Sequence, residues 1–160
     1  MLRACSVIAS VWLCSSLLTG AYASQPASAI EFERPYFAAG FDLATTAAGY
    51  ARLHNLTNTH VHITHISVPE HIAKGASLHR SVSADNMVKM QKLADGLTLK
   101  PDAQLTFETG GYHVMLHNLT RPLEVGTKVP VTFHFRAQRS QQVNFSVHQL
   151  DNGGHQHHHE

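Results

Sequence analysis

The stretch GGYHVMLHNL, residues 110–119, decides how the rest of the chain is read. Two glycines open an apolar run of strand length. Within it the side chains split by parity, because successive residues of a strand point to opposite faces. Tyr112, Val114 and Leu116 form one face, which is apolar enough to bury. His113, Met115 and His117 form the other. A methionine in a strand ordinarily fills core, but Met115 lies on the side away from the buried one, in line with two imidazoles.

Working outward, the same texture recurs. Short apolar or alternating segments are read as strands at 50–56, 60–68, 77–83, 86–91, 104–108, 112–118, 129–135 and 143–149. Turn residues separate them at Thr57-Asn58, Pro69-Glu70, Asp95-Gly96, Pro101-Asp102, Gly110-Gly111 and Gly126. Many short strands without long helical periodicity predict an all-β sandwich or small barrel of eight or nine strands. The segment 41–51 is the one place where a helical turn is compatible with the residues.

The 160 residues divide into a leader, one domain and a tail. Residues 1–23 combine Arg3, an apolar run and Ala21-x-Ala23, which is the pattern of a secretory signal peptide cleaved after Ala23. The apolar run is short for a membrane span, so no membrane insertion is expected after cleavage. Cys14 raises lipidation, against which Leu13 is larger than such a site prefers. Residues 24–150 form the domain, and residues 151–160, DNGGHQHHHE, a polar tail read as disordered.

Cleavage would remove both cysteines, Cys5 and Cys14, and leave 11 basic and 11 acidic residues. A neutral, thiol-free domain gives no reason to expect nucleic acid as a partner. It also excludes a blue-copper electron carrier, which needs a cysteine thiolate. Histidine is the excess, with 14 residues, all beyond the leader. The remaining methionines are Met87, Met90 and Met115.

If Ala84 and Asp85 form the two-residue turn of a hairpin, His79 falls directly opposite Met90 on one sheet face. A slip of one residue would separate them. With His113 and Met115 this gives two imidazoles and two thioethers. Such a set is soft and neutral, suited to Cu(I). Zinc would ordinarily add a thiolate or carboxylate, and calcium or magnesium would want oxygens.

His79, ten residues, Met90, twenty-two residues, then His113-Val114-Met115 resembles the signature of the periplasmic copper chaperones of the PCuAC type. NMVKMQ (86–91) and GGYHVMLHNLTRPLEVGTKVPVTFHF (110–135) resemble that family as well. The spacer before His113 is one residue longer than the commonest form. The resemblance implies a cupredoxin-like β-sandwich or Greek-key barrel, periplasmic and non-enzymatic. It also implies Cu(I) held by His79, Met90, His113 and Met115, for delivery to the Cu(A) centre of cytochrome c oxidase, on subunit II, or to another copper carrier. A monomer is expected.

Other histidines add candidates. His60 and His62 are read on one strand face as a second metal site. His155, His157, His158 and His159 could capture Cu(II) or zinc. His117 is placed just outside the ligand set. The competing readings are a copper- and zinc-sequestering protein using these extra histidines, a zinc enzyme built on HVHITH (60–65), and a scaffold whose histidines are incidental.

Overall fold

The computed structural model describes residues 29–40, 43–84 and 87–149, with side-chain surroundings not described at Ala84. The leader and the histidine tail therefore lie outside the described residues. The described residues form ten strands and no helix. These are β1 (Ile30–Ala39), β2 (Thr46–Asn55), β3 (Val61–Ser67), β4 (Ala73–Ala84) and β5 (Met87–Lys92). There follow β6 (Leu97–Leu99), β7 (Gln104–Phe107), β8 (Tyr112–Leu119), β9 (Lys128–Phe135) and β10 (Gln141–Gln149).

Hydrogen bonding joins them in the order β5-β4-β8-β7-β2-β1-β10-β9-β3-β6, and β8 also pairs with β2. The sheet curls so that inward residues from both of its halves meet in one core. Phe37, Leu53, Ile63, Val114, Leu116, Val131, Phe133, Phe145 and Val147 are all fully buried there. All-β architecture was the expectation, and it holds with ten strands in place of eight or nine. The segment 43–51 carries the start of β2 and no helical turn.

Two strands beyond the sequence expectation are β1 and β6. In β1, alternation breaks at a bulge between Glu33 and Tyr36, where Arg34 takes the left-handed φ of 46°. The inward residues accordingly switch parity, from Ile30 and Phe32 to Phe37. β1 then pairs antiparallel with β2 and parallel with β10, tying the first strand to the last.

One row of cross-strand partners positions the functional face. Val147, Phe37, Gly49, Val114 and Leu78 lie opposite one another in turn across β10, β1, β2, β8 and β4. Four of the five are large core side chains. The fifth is glycine because a Cβ at Gly49 would lie 2.5 Å from the Phe37 ring. With this row turned inward, its strand neighbours His113, Met115 and His79 are turned outward.

Candidate metal centre

β4 and β8 run antiparallel with His79 opposite His113 and Ser77 opposite Met115. Parity puts all four side chains on the face away from the core, where His117 also lies. The alternation read in the sequence is therefore the alternation that folds: Val114 and Leu116 are fully buried, Tyr112 half-buried.

The hairpin register differs from the expected one. Ala84 pairs with Met87, so the turn is one residue further on, and His79 lies opposite Lys92 while Met90 lies opposite Ser81. The displacement is two residues. Because the strand period is also two, Met90 stays on the face of His79 as a diagonal neighbour. Its other methionine, Met87, points to the opposite face.

The rings of His79 and His113 have centroids 5.7 Å apart. Two imidazoles that share an ion through nitrogens at about 2 Å have centroids within roughly 6 Å of each other, so this pair is spaced for a common ligand. His113 is buried, and its Nδ1 lies 3.2 Å from the carbonyl oxygen of Gly111. A carbonyl only accepts, so Nδ1 carries the proton and Nε2 keeps its lone pair. That carbonyl is set by the turn in which Gly110 adopts φ 79° and Gly111 N–H donates to Glu108 O.

His79 is half-buried and its Nδ1 is buried with no hydrogen-bond partner. Its pKa is lowered, first by loss of solvent, then by repulsion from His113, His117 and Lys92. The neutral ring this favours is the form that can bind a metal. Met115 is half-buried, and Met90 is 63% exposed on β5, an edge strand whose six residues are all exposed. The donors thus run from the buried His113 outward to Met90. Two imidazoles and two thioethers on one face match a soft monovalent ion.

Ser77 is what sequence reasoning missed. It is buried, and its Oγ is hydrogen-bonded to Nε2 of His79 at 2.9 Å and to Nε2 of His117. His117 stands opposite Gly75, which offers no side chain in its way. The signal was present in Ser77-Leu78-His79, whose parity puts the hydroxyl beside the imidazole, but a serine in a strand announces nothing by itself.

The other candidates do not gather. His60 precedes β3 and is exposed, while His62 has its Nδ1 2.7 Å from Thr98 Oγ1. Among the described residues no group of three His, Cys, Asp or Glu side chains is arranged to hold a metal. His155, His157, His158 and His159 lie outside the described residues. A pair that sequence reading did not single out is His65 and His134, stacked at 4.2 Å on β3 and β9. Both ring nitrogens of His134 meet hydroxyls, those of Ser67 and Ser140.

An all-β sheet of this kind is the fold of solved PCuAC domains. The chain belongs to the LpqE-like family, whose model, described as "Putative lipoprotein LpqE-like", matches residues 30–147. A protein described as "Putative lipoprotein Lxx21020" from Leifsonia xyli subsp. xyli (strain CTCB07) is 35% identical over 63 residues. That alignment covers 39% of this chain and 38% of the relative, so it spans well under half of either. The apo PCuAC domain from PmoF1 superposes with a TM-score of 0.62 at 21% identity, covering 76% of this chain and 95% of that one. The CuI form of DR1885 from Deinococcus radiodurans superposes with a TM-score of 0.61 at 24% identity, covering 84% and 87%. At these identities the likeness is one of fold.

Proposed function

We propose that this chain is an exported carrier of Cu(I), which it binds through His79, Met90, His113 and Met115 and hands to a copper-accepting protein. The observation that carries the reading is the direct opposition of His79 and His113 at 5.7 Å, with Met115 beside them and Met90 on the same face. DR1885, solved in a CuI form, supports the choice of ion.

Copper is cargo in this reading, and the ligand set suits cargo. Thioethers need no deprotonation and form no disulfides, whereas a thiolate site would bind more tightly and oxidise. Met90, exposed on an edge strand, is the ligand an incoming acceptor meets first. The acceptor we propose is the Cu(A) centre of cytochrome c oxidase or another copper carrier, with a monomeric domain and no catalytic step of its own. Cu(II) capture by the histidine tail is a secondary part of the proposal.

Export supports the same assignment, since a leader-like segment precedes the domain and the family is named for a lipoprotein. Intact mass of the secreted chain tests the route. Loss of residues 1–23 is expected, and a lipid on Cys14 would replace that with anchorage.

X-ray absorption on the Cu(I)-loaded protein tests the site. Two sulfur and two nitrogen scatterers per copper are expected. A shell of nitrogen and oxygen alone would overturn the four-ligand assignment.

A further inference from the structure

We propose that Ser77 and His117 form a positioning relay that holds His79 in the one tautomer able to bind metal through Nδ1. The inference rests on the copper-carrier reading for its purpose, but its geometry stands on the metal-free protein. A single hydroxyl, buried on β4, contacts Nε2 of both His79 and His117. A serine has one proton to donate. Hence one of the two imidazoles receives that proton as a hydrogen bond, and the other donates its own N–H to Oγ.

The two polarities have opposite consequences for His79. If Ser77 donates to His79, the neutral ring must carry its proton on Nδ1. That leaves a buried N–H with no acceptor, because Nδ1 has no partner. Buried donors without acceptors are rare and costly. It also blocks the atom from any metal. If His79 donates from Nε2 to Ser77, the hydroxyl proton turns to His117 Nε2, and His117 keeps its own proton on Nδ1. His79 Nδ1 then carries a bare lone pair in a buried setting, which an incoming cation satisfies.

The second polarity is assigned here: His79 Nε2–H to Ser77 Oγ–H to His117 Nε2. Together with the Gly111 carbonyl on His113 Nδ1, it gives a site whose two imidazoles present different nitrogens, Nδ1 from His79 and Nε2 from His113. Partners of this kind fix ring orientation and raise ligand basicity, and their loss typically costs 10–100-fold in metal affinity. His117 and Ser77 thus act through His79 and touch no copper themselves.

Long-range proton–nitrogen NMR on the 15N-labelled metal-free protein reads the tautomers directly. The expected result is His79 protonated on Nε2, with His117 and His113 on Nδ1. Ser77→Ala, a near-isosteric change, should mix the His79 tautomers and weaken Cu(I) binding about 10–100-fold, and Ser77→Thr should restore both. His79 protonated on Nδ1 in the wild-type protein would overturn the relay. So would Ser77→Ala binding Cu(I) as tightly as wild type or more tightly, since the hydroxyl would then only occupy the place copper takes on Nε2. Failure of the wild-type protein to bind Cu(I) would instead sink the carrier reading, while the tautomer measurement would still decide the relay.

Discussion

His79 and His113 face each other across β4 and β8, ring beside ring, one held by a serine hydroxyl and the other by a backbone carbonyl. Neither imidazole depends on the methionines for its place. Removing the thioethers therefore removes donors without dismantling the frame that presents them.

Met90→Ala together with Met115→Ala should abolish tight Cu(I) binding in an anaerobic competition titration. Stability should fall unequally. The exposed Met90 is worth no more than about 0.5 kcal/mol. Truncating the half-buried Met115 should cost about 1–2 kcal/mol, below the range for a full core methionine. Cu(I) affinity unchanged in the double variant would remove the methionines from the site.

Protons and copper compete for the same imidazole lone pairs. Cu(I) affinity should be level above pH 7 and decline as pH falls below about 6.5, where an ordinary histidine protonates. His79 should resist to lower pH, because burial, His113, His117 and Lys92 all disfavour its charged form. Competition with a chelator of known pH dependence, from pH 8 to pH 5, reads the slope. A flat profile over that range would point to a site made of thioethers alone.

The stacked His65–His134 pair on β3 and β9 gives an acid-stability test that copper does not enter. His134 has its pKa lowered, first by burial and then by His65. The unfolded chain, with an ordinary value near 6.5, takes up the proton more readily than the folded one. Stability is thus intact above that value and declines as pH falls below it, the loss being complete once the folded state also protonates. The urea midpoint of metal-free protein should be lower at pH 5 than at pH 7.5, and His134→Gln should narrow the difference. An equal difference in the variant would shift the cause elsewhere.

Gly49 should not tolerate a methyl group. Its Cβ would meet three Phe37 ring atoms at 2.5–3.0 Å, and that ring is fully buried between strands. Gly49→Ala should destabilise by about 1–3 kcal/mol through overpacking, read as a shift in thermal midpoint. An unshifted midpoint would mean that the Phe37 ring moves aside freely.

How far the chain could be read in advance follows from the physics of each segment. β8 was legible because it alternates without interruption, so parity alone separated Val114 and Leu116 from His113 and Met115. The hairpin register was not, since several residues near Ala84 serve equally well in a turn. Met90 nonetheless kept its face, because the error equalled the strand period. β1 escaped because the bulge at Glu33 shifts its inward residues from even to odd, and β6 because three residues carry no pattern. Asn55 is fully buried, although asparagine is mostly an exposed residue. Its amide nitrogen bonds the carbonyls of Thr59 and Lys100, and its oxygen accepts from Thr57. Ser77 needed the fold, since only the β4–β8 pairing brings His117 to it.

The parallel pairing of β1 with β10 gives the domain a direction. Ala39 and Gln149 are partners at one end of that pair, and Ile30 lies at the far end of β1. Following the register from β10 through β1 and β2 to β8, Val147 is level with Val114, three strand spacings or about 14 Å away. Ile30 is paired with Asn55, at the end of β2 away from its pairing with β8. An attachment before Ile30 would therefore hold the domain away from the β2–β8 junction that carries Met115.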